Sequence, residues 1–150
     1  MSEASARVVN TLLTELDGLS SRAGIHVIAA TNRPDIIDEA MLRPGRLETL
    51  LFVDLPGPDE RVEILGALIR GRKGSAFPAG VEEIARGEAC HGFSGADLEA
   101  LLRAAGQNAL DREAESVLRE DFESAAKSVK PSVDSMERYN RLKAKFGARS

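Results

Sequence analysis

The chain has 150 residues, of which 43% are hydrophobic and 29% are charged, a balance typical of a soluble globular protein and not of a disordered one. Its net charge of −4 argues against general binding to nucleic acids. The charge is uneven, however, since residues 127–150 hold seven lysines and arginines against two acidic residues. This basic stretch favours an acidic partner or, more simply, a solvated helix face.

The cysteine count and the hydropathy pattern indicate the compartment. Cys90 is the single cysteine, which excludes an intrachain disulfide and fits a reducing environment. No apolar run approaches the ~20 residues that a membrane span needs, and the first residues lack the apolar core of a secretory signal. We therefore expect an intracellular protein.

The first 57 residues combine helical and strand-like patterns. Apolar residues at helical spacing predict a helix over residues 4–19. Residues 25–30 are apolar at nearly every position, as in a parallel strand covered on both faces, and residues 47–55 predict a second strand. Between them, Pro34 ends the first strand in an ordered turn, and residues 35–42 predict a short helix.

From Pro58 onward the patterns are helical. They predict helices over residues 59–70, 81–89, 94–115 and 133–146, and a further one around Phe122 that Pro131 stops. Ser94 and Asp97 have the spacing of a capping box. The predicted fold class is therefore α/β followed by all-α, with two strands of a parallel sheet before the break near residue 57 and a helical unit after it.

Polar residues after the first predicted strand are candidates for phosphate chemistry. Asn32 follows the strand, and Arg43 and Arg46 flank Pro44-Gly45. A complete nucleotide hydrolase also needs a phosphate loop, its lysine, and carboxylates for magnesium and water. The pattern G-x-x-x-x-G-K-[ST] is absent from these residues, and no run of four apolar residues leads into Asp-Glu. One cysteine and two distant histidines also predict no metal site.

Four motifs, in order and at family spacing, closely resemble those of the AAA-type ATPases. They are LTELDGL (13–19), AATNRPD (29–35), LRPGR (42–46) and GFSGADL (92–98). The resemblance runs over nearly the whole chain, and four linked motifs are far more specific than any one of them. Within the family the chain looks like the second ATPase ring of the valosin-containing-protein group. RLETLLFVDLP (46–56) leans towards the nuclear branch, whose members extract factors from pre-60S ribosomal particles.

The resemblance implies roles for residues of the first part. Asn32 matches sensor 1, the amide that reads the γ-phosphate and helps to orient the attacking water. Arg43 and Arg46 match the arginine fingers that reach into the neighbouring subunit's site, where a permanently charged, forked guanidinium suits the charge on transferred phosphoryl oxygens. The intersubunit signalling motif is matched by Asp17, Gly18 and Leu19.

The resemblance also implies nucleotide contacts in the helical unit. Gly95 and Ala96 match lid residues near the adenine, where small side chains let the base approach a helix start. Ile64 and Leu68 match lid-helix positions on the base and ribose, although Leu68 departs from the polar residue often found there. The family uses ATP and Mg²⁺. Its phosphate loop, Walker B acids and pore loops would precede residue 1, so the main ligands of ATP and Mg²⁺ are expected to be missing from this chain.

The implied domains are a partial AAA large α/β subdomain over residues 1–57, a helical AAA lid over 58–131 and a basic helical tail over 132–150. In the family's sheet, with strand order 5-1-4-3-2, the two predicted strands match the fourth and fifth. They would not be neighbours, and each would expose an unpaired edge.

The predicted function is part of an AAA-type ATPase that couples ATP hydrolysis to remodelling or extraction of protein complexes, with pre-60S ribosomal particles as a candidate substrate. Implied partners are neighbouring AAA subunits of a homohexamer and a protein or ribonucleoprotein substrate, with no membrane and no sequence-specific nucleic acid. The expected location is the nucleus or nucleolus, with the cytoplasm as the alternative. The chain by itself is expected to be inactive, because Walker A and Walker B are absent.

Two alternatives stay open from the sequence. The chain could be a non-catalytic adaptor that docks on intact ring subunits and modulates them. It could also be a helical interaction module that uses the basic segment 127–150.

Overall fold

A computed structural model describes residues 3–19, 24–72, 78–133 and 136–147. The α-helices in this part are α1 (Glu3–Leu19), α2 (Pro58–Arg70), α3 (Val81–Arg86), α4 (Gly95–Asp111), α5 (Arg119–Ser128) and α6 (Met136–Phe146). Short 3₁₀ turns cover Pro34–Ile36, Glu39–Leu42 and Glu88–Cys90. The chain divides into two compact units, one formed by Met1–Val53 with Glu137–Ser150 and the other by Asp54–Met136.

The helices predicted from apolar spacing are confirmed, with small shifts at their ends. Helix α1 matches the predicted span 4–19, and α4 ends at Asp111, four residues before the predicted end at 115. The predicted helix over 81–89 forms as α3 and a separate 3₁₀ turn. The start of the last predicted helix falls partly on residues 134 and 135, outside the described residues.

The predicted short helix over residues 35–42 is corrected to two 3₁₀ turns. Ile37 and Asp38 between them have extended ψ angles of 134° and 127°. The side chain of Asp38 accepts a hydrogen bond from the Ala40 N–H at 2.9 Å, so it caps the second turn. A capping aspartate in the middle of the segment therefore starts a new turn where the apolar spacing predicts a continuous helix.

The two predicted strands are not confirmed, since the described residues contain no β-strand. Residues 25–30 and 47–53 have no regular secondary structure, and Ile28, Leu51 and Val53 are 95%, 79% and 81% exposed. A strand exists only through hydrogen bonds to a neighbouring strand, whereas a helix bonds within its own segment. The apolar pattern marks segments suited to a buried sheet, but no neighbouring strand is present in the described part to complete one.

The unit 54–136 is a helical domain with its own core. Its helices pack around side chains that are almost completely buried: Leu65, Ile69, Val81, Ala85, Cys90, Phe93, Leu98, Leu101, Ala105, Phe122 and Ala125. These side chains come from α2, α3, α4 and α5 and the connections between them. Burial of this apolar set is the main source of the unit's stability.

Buried charges in this unit are satisfied by hydrogen bonds. Arg61 is 4% exposed, and its guanidinium donates to the carbonyls of Ala85 and Arg86 at 2.6 and 2.9 Å, at the C-terminus of α3. The carbonyls at a helix C-terminus carry partial negative charge, so they suit a cation. The guanidinium thus joins α2 to the end of α3.

Two buried aspartates cap the helices that build the core. Ser94 and Asp97 form the predicted capping box of α4, with the Ser94 N–H donating to Asp97 Oδ2 at 2.8 Å. Burial raises the pKa of Asp97, but hydrogen bonds from Ser94 and Ser132 outweigh it and leave the pKa below its usual value. Asp121 accepts two bonds from Arg112 at 2.9 and 2.6 Å, which lower its pKa.

The other unit has little buried apolar surface. Among its described residues, Leu16 and Phe146 are the buried hydrophobic side chains, at 6% and 8% exposure. Tyr139 of α6 packs against Phe52, with ring centroids 6.0 Å apart. No helix within the described residues combines the length and hydrophobicity that crossing a membrane would require.

Candidate functional site

The segment 43–46 forms a tight turn that carries both candidate finger arginines. The Arg46 N–H donates to the Arg43 carbonyl at 3.1 Å, and Gly45 has a φ of +82°. Proline at the second position, a left-handed third residue and an i to i+3 hydrogen bond define a type II turn. Glu48 braces it by accepting from the Gly45 N–H at 2.9 Å. The turn therefore fixes the two arginines at its two ends.

Arg46 is anchored at one of these ends. Its Nε and Nη2 donate to the two carboxylate oxygens of Asp17 at 2.6 and 2.7 Å, and its Nη1 donates to the Ala40 carbonyl at 2.7 Å. The Arg46 side chain is 17% exposed. The hydrogen bonds lower the pKa of Asp17 and raise that of Arg46, so both groups are charged at neutral pH. A forked, two-bond contact of this kind fixes the orientation of the guanidinium.

Arg43 at the other end is exposed and has no side-chain partner among the described residues. Pro44 follows it directly and holds the backbone of the turn at a fixed φ. The two arginines thus differ. Arg46 is hydrogen-bonded to Asp17 and Ala40 of its own chain, whereas Arg43 extends from the turn into solvent.

Asn32 lies in an exposed, tightly hydrogen-bonded loop. The Arg33 N–H donates to Thr31 Oγ1 at 2.9 Å, and the Arg33 guanidinium donates to both oxygens of Asp35 at 2.9 Å each. Arg138 of α6 also lies 3.6 Å from Asp35. These contacts fix the backbone on both sides of Asn32, whose amide is exposed.

The predicted signalling motif lies at the end of α1. Asp17 and Gly18 are exposed in the last turn of the helix, and the side chain of Leu19 lies outside the described part of the structure. The structure brings Asp17 together with Arg46, 29 positions along the chain. Nothing in the sequence predicts this contact, because two opposite charges 29 positions apart carry no spacing signal.

The predicted nucleotide contacts of the helical unit lie on two helices. Gly95 and Ala96 are exposed in the first turn of α4, beside the Ser94 cap. Ile64 and Leu68, four residues apart on α2, are half-buried and pack partly against the core. Ile64 also lines an open cleft of about 740 Å³ that contains Arg70 and Glu82, whereas the other three residues do not line it.

The described residues fit part of a nucleotide site. Arg43 offers an exposed guanidinium and Asn32 an exposed amide, both suited to phosphate oxygens. Within the described ranges, no group of three His, Cys, Asp or Glu side chains could hold a metal ion.

Comparison with known families matches both units. Residues 1–55 match the ATPase family associated with various cellular activities, AAA. Residues 81–124 match the AAA+ lid domain.

Individual relatives agree with these matches. The ribosome biogenesis ATPase RIX7 of Saccharomyces cerevisiae is 45% identical over 98% of this chain and 21% of its own length. The nuclear valosin-containing protein-like protein of Mus musculus is 46% identical over 87% of this chain and 17% of its own. The cell division cycle protein 48 homologue of Archaeoglobus fulgidus is 43% identical over 94% and 21%. The chain spans about a fifth of the length of the curated relatives it matches.

Proposed function

We propose that this chain, which belongs to the AAA ATPase family, supplies sensor 1, arginine fingers and lid to an ATP-hydrolysing ring. Asn32 is the sensor, and Arg43 and Arg46 are the finger residues, of which Arg43 reaches the nucleotide of a neighbouring subunit. Gly95, Ala96, Ile64 and Leu68 contact the base and ribose. The nucleotide brings the phosphates and Mg²⁺, whose principal ligands are not among these 150 residues.

The observation that carries this proposal is the type II turn with its unequal arginines. Arg43 extends from a turn whose backbone is held by Pro44, Gly45 and Glu48, so the point from which its exposed guanidinium reaches a phosphate is set in advance. Charge that grows on phosphoryl oxygens in the transition state is stabilised by such a cation.

The geometry also favours different roles for the two arginines. The Arg46 guanidinium is already hydrogen-bonded to Asp17 and to the Ala40 carbonyl. We assign it the role of positioning the turn, and assign the phosphate contact to Arg43. Because Asp17 lies in the Asp-Gly-Leu motif, a change at a subunit interface that moved this aspartate would also move the turn.

The relatives support a proposal for the assembly, location and substrate of the ring. Two of them carry names that mention ribosome biogenesis or the nucleus, and we propose a nuclear ring that remodels ribonucleoprotein particles such as pre-60S ribosomes. The ring would be a homohexamer. We also propose a division into a large-subdomain part (1–57), a lid (58–131) and a basic tail (132–150), which the family matches over residues 1–55 and 81–124 support.

A chimera tests the proposal. The chain is exchanged for the matching segment of the Saccharomyces cerevisiae relative, and ATP turnover is measured. We expect Arg43→Ala to lower kcat by about 10³-fold with little change in KM, since the contact forms in the transition state. Arg46→Ala lowers kcat less, and Asn32→Ala also lowers kcat.

Arg103→Ala is the matched control, because Arg103 is an exposed arginine of α4 paired with Glu99 at 3.2 Å. Turnover of Arg43→Ala at the control level would refute the finger role. Action in trans is tested by mixing Arg43→Ala subunits with subunits that lack the phosphate-loop lysine, since only a trans-acting finger restores turnover. If the unmodified chain alters the rate of an intact ring without being part of it, the adaptor alternative replaces this proposal.

A further inference from the structure

We propose that one side of α6, the basic stripe formed by Arg138, Arg141 and Lys145, binds the phosphate backbone of RNA without sequence preference. The choice of RNA as the anion rests on the proposed function, in which the substrate is a ribonucleoprotein. The stripe itself rests on helix geometry, packing and charge.

The spacing places the three cations on one side of the helix. Positions i, i+3 and i+7 of an α-helix lie within a narrow sector at 3.6 residues per turn. At a rise of 1.5 Å per residue, the stripe extends for about 10 Å along the helix axis. This length is that of a short stretch of nucleic-acid backbone.

Packing of α6 leaves much of the stripe exposed. The adjoining side of the helix carries Tyr139, whose ring centroid lies 6.0 Å from that of Phe52, and Phe146, which is 8% exposed and has Lys145 Nζ 5.2 Å from its ring centroid. The side chain of Arg141 is 73% exposed, that of Arg138 is 47% exposed, and Lys145 is exposed. The helix is therefore held by its apolar side and presents the cations to solvent.

Within α6 itself, the stripe has little compensating negative charge. Glu137 is the one acidic residue within α6, and its carboxylate lies 3.9 Å from Arg141. Both members of that pair are exposed, and Arg138 meets Asp35 at 3.6 Å in a similar surface contact. Exposed pairs at such distances contribute little energy, so a phosphate can compete for these cations.

The character of the surface favours RNA over a peptide. An acidic peptide usually gains affinity from an apolar anchor beside its charges, and the two aromatic side chains of α6 are already engaged, since Tyr139 packs against Phe52 and Phe146 is 8% exposed. Phosphate contacts need only long cationic side chains and the release of counterions. Because the whole chain has a net charge of −4, we expect RNA to be attracted to α6 and not to the protein surface in general.

The test measures binding of a fluorescein-labelled 20-nucleotide single-stranded RNA to the full 150-residue chain by anisotropy, at 50 and 200 mM salt. Three phosphate contacts give a slope of log K against log salt of about −2, or about twenty-fold weaker binding across that range. We expect Arg141→Gln/Lys145→Gln to weaken binding at least ten-fold at 50 mM and to bring the slope to about −0.7.

The matched control is Arg103→Gln/Lys127→Gln, which removes the same charge from exposed positions of α4 and α5 and should bind within two-fold of wild type. Arg141→Lys/Lys145→Arg keeps the charge and should keep binding, with circular dichroism checking the fold of each variant. Equal loss in both Gln pairs, or no binding by the wild-type chain, overturns the proposal. Tighter binding of polyglutamate than of RNA, lost in the stripe variant, reassigns the surface to an acidic protein.

This result is separable from the proposed ATPase role. The stripe variant should keep full ATP turnover in the chimera, and Arg43→Ala should keep full RNA binding.

Discussion

The two units of this chain have similar apolar patterns but use them differently. In residues 54–136, Phe93, Phe122 and Leu98 are at most 1% exposed. In the other unit, equally apolar side chains face solvent, with Ile28 at 95% and Leu51 at 79%. The helical unit therefore completes its own core, whereas the unit that contains Asn32, Arg43 and Arg46 displays apolar surface that the described residues leave uncovered.

The difference follows from where each backbone finds its hydrogen bonds. Helices α2 to α5 satisfy their own N–H and C=O groups, so only side chains must find neighbours. Residues 25–30 have a composition suited to a central strand, whose main-chain groups need two flanking strands. Sequences of this second kind show their fold only in the complete sheet.

The largest expected loss of stability distinguishes the buried core of the helical unit from the exposed apolar residues of the other unit. Phe122→Ala removes a ring that is 1% exposed and leaves a cavity in the lid, so it should lower the free energy of unfolding by about 3–5 kcal/mol. Ile28→Ala should change it by less than about 0.5 kcal/mol, because that side chain is 95% exposed. Urea unfolding followed by circular dichroism measures both. Similar losses for the two variants would contradict the comparison.

The buried arginine gives the next largest effect. Arg61→Met keeps much of the apolar stem of the side chain but removes the donors to the Ala85 and Arg86 carbonyls. Leaving buried acceptors unsatisfied should cost about 2 kcal/mol. Arg86→Met, which loses an exposed pair with Asp59, is the matched control and should be close to neutral. A neutral Arg61→Met would mean that water replaces the guanidinium at these carbonyls.

The features that the sequence predicted are those with local causes. The helix starting at Gly95 is specified by Ser94, Asp97 and the apolar spacing behind them, all within one segment. The strands at 25–30 and 47–55 were predicted from the same kind of pattern and did not form, because pairing depends on distant segments. The contact between Asp17 and Arg46 could not be predicted, since it joins residues 29 positions apart. The match to the AAA+ lid domain over residues 81–124 confirms the predicted lid. The roles of Asn32, Arg43 and Arg46, and those of the nucleotide contacts in the lid, depend on resemblance and stay predictions.

Acid should weaken the lid through its buried carboxylates. Hydrogen bonds from Arg112 lower the pKa of Asp121, and those from Ser94 and Ser132 leave that of Asp97 below its usual value. The unfolded chain therefore takes up protons first as the pH falls. The stability from these groups is fully present above about pH 5 and is lost as the pH drops through 4 and towards their folded pKa values.

Asp121→Asn tests this dependence. It should lower the free energy of unfolding by about 2 kcal/mol at pH 7 and flatten its fall between pH 5 and 3. The exposed Asp35 also has a lowered pKa, caused by Arg33, and Asp35→Asn should leave the acid unfolding of the lid unchanged. Urea titrations across this pH range supply the measurement. An equally steep pH dependence in Asp121→Asn would assign the effect to other carboxylates.

The smallest effect on stability is expected at the exposed Asp17–Arg46 pair of the other unit. Breaking this pair should change only the local opening of the backbone around Arg46. Asp17→Asn should leave the unfolding midpoint unchanged, since the Asp17 side chain is 56% exposed. It should nevertheless release Arg46 and speed tryptic cleavage after this residue several-fold, because cleavage requires the backbone to open locally. The turn offers a clean readout, as Pro44 blocks cleavage after Arg43. Asp59→Asn, which breaks an exposed pair with Arg86, should leave the cleavage rate at Arg46 unchanged. If Asp17→Asn leaves it unchanged as well, Glu48 and Pro44 hold the turn without the aspartate, and Arg46 becomes a second candidate for the phosphate contact that is proposed for Arg43.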